Sequence, residues 1–424
     1  MHLIMAFKRS SALAAFIFSI CLIGISADQE DSMNQTISNN NNEQVVCLIV
    51  RSGSNPYFDA MRSSAQRHAT KLGLNLVTYV TSESGTVGGF AAAERNIALI
   101  QKCVTEDGAV ALLLSIAADD PGSDTEAAAI ENARAEHGVL ALAIDSRING
   151  VDALIQTNNT AAGEAIGQYA LATNNKEDAR IAVLYCPIED DLNIYERIVG
   201  FVSGFGLSTQ YTDPTTIDDP NSTRTIDFYS DPQIIAAREY KCSVADSGRD
   251  ATLDILASNS GDDAPTIIYA TNEVGGFGAL EALREKGLSD SNIRIMTIDG
   301  SCNGVAEVYD GGFDANIIQQ PGLMAQLGLD AVKAFLETGK AATGFTETPF
   351  GLAVKDQVYP YATLQTEAED ICWGAVDDGT SDLSGVGVGA GAMVGSEDTN
   401  SGGGTVVCSI GYLALVVGIV LASI

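Results

Sequence analysis

The chain reads as an α/β protein built from two doubly wound lobes of parallel sheet, and three features of the sequence point there. Apolar runs suited to strands alternate with helical patterns from Val45 to about Gly339. The strand runs are continuously apolar, as in sheets covered by helices on both faces. There are also too many of them for one lobe, and 424 residues leave room for two or three domains.

The first run, Val45–Val50, passes through a polar turn into a helix. Asn55 is suited to cap that helix and Pro56 to begin it, where a missing N–H costs nothing. Phe58, Met61, Ala65, Ala69 and Leu72 then recur at helical spacing until Gly73 stops the helix. Further strand runs are Leu74–Val80, Ala109–Leu114, Val139–Ile144, Ile181–Cys186, Pro265–Ala270, Ile293–Ile298 and Ala315–Ile318. A helix from Thr125 to Glu136 ends before Gly138. Residues 206–240, rich in Thr, Asp and Pro, read as a surface loop inserted into the second half.

The two ends read as processing segments. Lys8 and Arg9 precede the apolar segment Ala12–Ile25, and small residues follow, so residues 1–27 have the layout of a secretory signal. Residues 28–44 are a polar, asparagine-rich leader. Residues 366–404 form a stem rich in Gly, Ser and Asp, and residues 405–424 an uncharged apolar tail. That tail suits a cleaved signal for a glycolipid (GPI) anchor, with a single retained transmembrane span as the alternative. Either would tether the protein on the extracellular face of the plasma membrane. Asn34, Asn158 and Asn221 open Asn-X-Ser/Thr triplets and are candidate glycan positions.

Composition excludes several functions. With 23 Lys and Arg against 55 Asp and Glu, the formal net charge is −32, which repels nucleic acid and other polyanions. His2 lies in the signal, and His68 and His137 lie late in helices, so no Ser-His-Asp or Cys-His set is available at strand ends. Outside the end segments six cysteines remain, Cys47, Cys103, Cys186, Cys242, Cys302 and Cys372. An even number in an oxidising compartment makes them disulfide candidates, and their spacing fits no zinc site. No metal or other cofactor is expected.

The residues that follow the strands suit a small polar ligand. Tyr57 and Phe58 come after the first strand, Ser115 after Ala109–Leu114, Asp145 after Val139–Ile144, and Arg197 on the helix after Ile181–Cys186. Asn272, Asp299 and Gln319 follow the next three strands. Taken singly, such an aspartate is commonly a helix cap, an aromatic pair commonly core, and an arginine commonly an ion-pair partner. Doubly wound sheets, however, gather these ends into one crevice. Carboxylates and amides there match hydroxyl edges, and rings match C–H faces.

Several turns carry a family resemblance. Asn55-Pro56-Tyr57-Phe58, Arg197-Ile198-Val199-Gly200-Phe201, Asn272-Glu273, Asp299-Gly300 and Gln319 before Pro321 resemble motifs of the periplasmic binding protein superfamily, type I. The likeness is to its sugar-binding, ribose-binding-protein-like branch. It implies two lobes joined by a three-crossing hinge: residues 45–157 with 321–350, and residues 158–320 with 351–365. It implies that Asn55, Tyr57, Phe58, Ser115, Asp145, Arg197, Asn272, Asp299 and Gln319 contact ligand. Asp145 and Asp299 would grip hydroxyls from opposite lobes, with Arg197 polarising both. Cys47 and Cys103 would then fall in one lobe, where a bond between them leaves closure free.

The sequence departs from that pattern in places. Ser146 follows Asp145 where an arginine is usual, and Arg51 ends the first strand where a small polar residue is usual. Ile298 precedes Asp299 where an aromatic is frequent, and the second-lobe hinge lacks its aromatic near Ser243–Asp246. The resemblance implies a non-enzymatic protein that captures a monosaccharide or related small polar ligand by hinge closure, with a membrane transporter or receptor as partner. Two alternatives stand beside it. One is a sensing ectodomain for a furanosyl-type signal molecule. The other is a glycoside-acting enzyme using Asp145 and Asp299, which needs one carboxyl protonated near neutrality, whereas Arg197 is expected to keep both ionised.

Overall fold

The computed structural model describes residues 44–82, 90–116, 124–188, 191–212, 225–289, 292–358, 360–361 and 365–374. The first lobe is organised by β1 (Val45–Ser52), whose two faces are both buried. Val46, Leu48 and Val50 pack with Met61 and Ala65 of α1 (Pro56–Leu72) and with Met324 and Leu329 of α9 (Pro321–Thr338). Cys47 and Ile49 face the other way, toward Ile100 of α2 (Phe90–Thr105) and Ile130 of α3 (Asp124–His137). The two-residue period of a strand gives that alternation, and helices on both sides explain why no polar residue interrupts it.

The first sheet runs β13 (Gly344–Thr348), β5 (Ala153–Thr157), β4 (Leu140–Ile144), β3 (Ala111–Ser115), β1, β2 (Asn75–Ser82), with every neighbouring pair parallel. The second runs β14 (Gly351–Val354), β12 (Ala315–Ile318), β11 (Arg294–Asp299), β10 (Ile267–Ala270), β6 (Ile181–Tyr185), β9 (Ile234–Glu239). There only the edge pair β12–β14 is antiparallel. The chain therefore passes between the sheets three times. It does so after β5, after β12, and between β13 and β14. Thr157 and Thr348, at two of those passages, share a hydroxyl hydrogen bond of 3.3 Å.

In the second lobe, α4 (Asn159–Thr173) and α5 (Leu192–Phe205) cross with their backbones almost touching. A Cβ on Gly200 would lie 2.1 Å from the carbonyl oxygen of Thr160, and one on Gly163 would lie 2.2 Å from that of Arg197. Only glycine permits the approach. It seats Arg197 beside Asn159 in the first turn of α4.

Two expectations change. Ile234–Glu239, inside the span expected to be an inserted surface loop, is instead the edge strand β9 paired with β6, burying Ile234 and Ala236. Only β7 (Gln210–Thr212) and β8 (Thr225–Asp227) in that span form a separate hairpin, and residues 213–224, with Asn221, lie outside the described residues. Likewise the first residues of the expected stem, from residue 366, are ordered helix. Residues 365–371 form α10 (Gln365–Ile371), packed on α8 (Cys302–Asp310) and β14 with Ala368 fully buried.

The expected signal, leader, apolar tail and Asn34 also lie outside the described residues, as does the rest of the stem from residue 375. Among the described residues no helix is long and apolar enough to cross a membrane. Three disulfides join Cys47 to Cys103, Cys186 to Cys242 and Cys302 to Cys372, with Cα separations of 6.1, 5.3 and 4.9 Å. None runs from one sheet to the other. The first pair, with Asp107, has the spacing of a metal cluster, but its sulfurs are bonded to each other.

Candidate ligand-binding site

Asp145 and Asp299 are the two non-glycine residues with positive φ among the described residues, at +68° and +147°. Asp145 follows β4 in the first lobe and Asp299 ends β11 in the second. Each such conformation costs on the order of 1–3 kcal/mol and persists only where its surroundings over-determine it. Around Asp299 they do so thoroughly. Its carbonyl oxygen accepts from Trp373 Nε1 at 2.7 Å and from the Gln319 amide at 2.9 Å. The buried Glu273 carboxylate accepts from the amides of Gly300 (3.0 Å) and Ser301 (2.8 Å), and from Asn316 Nδ2 at 2.5 Å. At Asp145 the amide donates to Ile155 O, and the carbonyl oxygen accepts from Asn193 Nδ2 of the second lobe at 2.7 Å.

The Asp145 carboxylate accepts from the Tyr57 hydroxyl at 2.8 Å and lies 3.8 Å from the Arg51 guanidinium. Burial pushes its pKa up, against the opposing pull of Arg51 and of the Tyr57 hydrogen bond. Burial and the charge of Asp145 hold the Tyr57 phenol well above its usual range, so it stays a donor. Asp299 is pushed up to about 7, chiefly by burial. Arg197 at 3.4 Å and the Glu273 amide oppose that shift, while Asp145 adds to it. Both carboxyls are thus raised, and at Asp299 the shift runs contrary to the expectation that Arg197 keeps it fully ionised, because desolvation outweighs one charge at this distance.

Arg197 pairs with Asp299 and is otherwise held by protein groups. Its Nε donates to Asn159 Oδ1 (2.9 Å), Nη1 to Thr271 O (2.8 Å) and Nη2 to Gln319 Oε1 (2.7 Å). The planar fork thereby ties together the ends of β10, β11 and β12 and reaches Asp145 only through its long-range charge. Gln319 Nε2, Ser115 Oγ and Arg51 Nε are buried with no protein partner among the described residues. Each would cost about 1–3 kcal/mol if left unpaired.

The remaining expected contacts divide. Tyr57 and Phe58 are both 4% exposed and meet edge to face at 5.4 Å, so they are part core and part wall. Asn55 caps α1 through the Tyr57 amide at 3.0 Å. Asn272 caps α7 (Glu273–Glu285), which packs on α6 (Ala245–Ser258), and accepts from the buried Tyr240 hydroxyl, while its Nδ2 donates to Cys242 O. Its polar atoms are thus engaged by the protein. Asn158 caps α4 through the Ala161 amide at the first passage between sheets, with Nδ2 3.5 Å from Glu347.

Other contributors carried weak sequence signals. Arg51 was visible as a departure from the motif, and it donates to Ser146 Oγ and faces Asp145. Arg51 also reaches across to Asp191, the cap of α5. Glu273 stood beside a suspected ligand residue, and burial with the charge of Asp299 raises its pKa to about 8. Trp373 gave no signal at all, lying where the motif likeness had faded; its indole meets Tyr57 edge to face at 5.4 Å.

Known proteins share this architecture. The chain matches the periplasmic binding protein domain over residues 46–341. It is 25% identical over 336 residues to the ribose import binding protein of Haemophilus influenzae, covering 78% of this chain and 95% of that one. Its likeness to the ribose import binding protein of Escherichia coli is 23% over 303 residues, covering 70% and 86%. Among solved structures, a galactofuranose binding protein superposes with a TM-score of 0.61 at 17% identity, covering 77% and 97%. A Caulobacter myo-inositol binding protein does so with a TM-score of 0.58 at 22% identity, covering 74% and 94%. Two largely parallel sheets, three passages between them and an aspartate at a strand end of each accord with that match, and the chain belongs to the periplasmic binding protein domain family.

Proposed function

We propose that this chain is a solute-binding protein that captures a monosaccharide or small cyclic polyol between its lobes by hinge closure. The observation that carries the reading is the pair of strained aspartates, one at a strand end of each sheet, linked to each other through Tyr57 and Trp373. Carboxylates that accept, a buried amide with a spare donor at Gln319, and two rings suit a ligand with hydroxyl edges and apolar faces. The relatives' names, ribose import binding proteins, and the neighbours described with galactofuranose and myo-inositol support the same ligand class.

The lobes divide at residues 45–157 with 321–350, and 158–320 with 351–365, so contacts made only in the closed form shift the population toward it. Residues 1–27 act as the secretory signal, and residues 405–424 supply a tether on the outer face of the membrane, through a glycolipid or as a span. A phospholipase that cuts glycolipid anchors releases the protein from cells in the first case and leaves it bound in the second.

Calorimetric titration of the purified chain with D-ribose, D-allose and myo-inositol tests the ligand class. Asp299→Ala is the control, expected to retain the fold and lose about 2–5 kcal/mol of binding. Absence of heat with all three, or the appearance of a hydrolysis product, overturns the proposal.

A further inference from the structure

We propose that Trp373, the chain's single tryptophan, is the wall that the second lobe presents to Tyr57 in the cleft and a determinant of which ligand fits there. This rests on the solute-binding reading for its ligand, though not for its geometry. Trp373 directly follows Cys372, which is bonded to Cys302 at the start of α8. Its backbone continues the anchorage: Cys302 N donates to Trp373 O at 2.8 Å, and Trp373 N lies 3.4 Å from Gly300 O. Residues 365–373 are therefore a strap closed onto the second lobe by a covalent bond and by α10.

The strap delivers the indole to the Asp299-Gly300 turn. Nε1–H donates to Asp299 O, which fixes the ring plane. The ring then meets Tyr57 of the first lobe at an interplanar angle of 90°. Tyr57 in turn holds Asp145. Two aromatic residues thus stand between the two aspartates, Tyr57 beside Asp145 in the first lobe and Trp373 beside Asp299 in the second.

Trp373 lies on the fringe of the first-lobe core and is only partly buried, unlike Tyr57. An indole whose N–H is already satisfied offers a rigid apolar plane, suited to the C–H face of a small ring and indifferent to its hydroxyl pattern.

Because no other tryptophan exists, emission of the full chain reports this residue alone. In the ligand-free protein, Tyr57→Leu is expected to shift the emission to longer wavelength and to increase quenching by acrylamide. Unchanged emission and quenching would mean that the two rings do not meet, and would overturn the proposal. In calorimetry with D-ribose, D-allose and myo-inositol, Trp373→Leu is expected to weaken the best probe by roughly tenfold or more and to alter the ranking of the three. Trp373→Phe keeps a ring and is expected to stay within about threefold, so a folding failure of the leucine variant does not decide the matter. Equal affinities and ranking in both variants would overturn it. If no probe binds the unsubstituted chain, the sugar reading fails, while the emission measurement still decides whether Trp373 is the wall facing Tyr57.

Discussion

Arg51, at the end of the first strand, donates to the carboxylate of Asp191, which caps a helix of the opposite lobe. Burial pushes the Asp191 carboxyl up, but the charge and hydrogen bond of Arg51 more than offset it and hold the group below its usual range. The same guanidinium sits 5.6 Å over the Phe58 ring and faces Asp145, so it joins the first-lobe half of the site to the second lobe. Its side chain is 20% exposed and that of Asp191 16%, so screening reduces the strength of the pair without cancelling it.

Arg51→Ala is therefore expected to favour the open arrangement by about 1–3 kcal/mol. Small-angle scattering should show a larger radius of gyration, and ligand affinity should fall by about tenfold. Asp191→Asn keeps the cap and loses only the charge, so its effect should be smaller. An Arg51→Ala protein with unchanged radius and affinity at low salt would show that the contact does not bias closure.

Tyr57→Phe isolates the hydroxyl that Asp145 accepts at 2.8 Å. The ring contacts to Phe58 and Trp373 survive, while a buried acceptor loses its donor. Stability should drop by about 1–3 kcal/mol in urea titration, with the circular dichroism spectrum unchanged. A loss well below that range would mean that another group, Arg51 being nearest, takes over the carboxylate.

The sequence made the frame legible because covered parallel strands leave long apolar runs, and their ends carry the polar groups. Asp145 and Asp299 could be picked out as aspartates directly after such runs, whereas Gly200 stood only within a motif, and its part in the close helix crossing that seats Arg197 emerges from the structure. What stayed hidden followed from local weakness or distance. β13 is an exposed edge strand with only Thr348 buried, so it has no apolar run to find. β9 has an apolar run of only four residues, 234–237, embedded in polar sequence. Trp373 reaches the site through a disulfide 70 residues long in sequence separation, and no periodicity records such a contact. Asn272 was open to two readings, because a capping asparagine and a ligand-binding one occupy the same place after a strand.

Two buried carboxyls set the pH response. Glu273 and Asp299 have folded-state pKa values of about 8 and about 7, above those of the unfolded chain. The native state therefore holds protons that the unfolded state releases between roughly pH 4 and pH 8. Their contribution is fully present below that window and is lost as pH rises through the folded values. Stability should consequently fall with rising pH from 5.5 to 8.5, by at most about 1.4 kcal/mol per pH unit for each proton. Glu273→Gln preserves the acceptor for Gly300 and Ser301 and removes one titration, so the slope should become shallower. Urea midpoints at several pH values measure it, and an unchanged slope in the variant would rule out Glu273 as a source.

The disulfides allow stability and site geometry to be separated. Cys47–Cys103 and Cys302–Cys372 enclose sequence separations of 56 and 70 residues, so each constrains the unfolded chain to a similar degree. Replacing either pair with serine should cost about 2–5 kcal/mol by that effect. Only the second pair holds Trp373 against Asp299 and Tyr57. The Cys302→Ser, Cys372→Ser protein is therefore expected to lose ligand affinity by tenfold or more, and the Cys47→Ser, Cys103→Ser protein to keep it at temperatures where both remain folded. Parallel melting curves and titrations distinguish the two. Equal affinities would show that the strap stabilises the second lobe without shaping the cleft, since the entropic constraint alone cannot discriminate between the pairs.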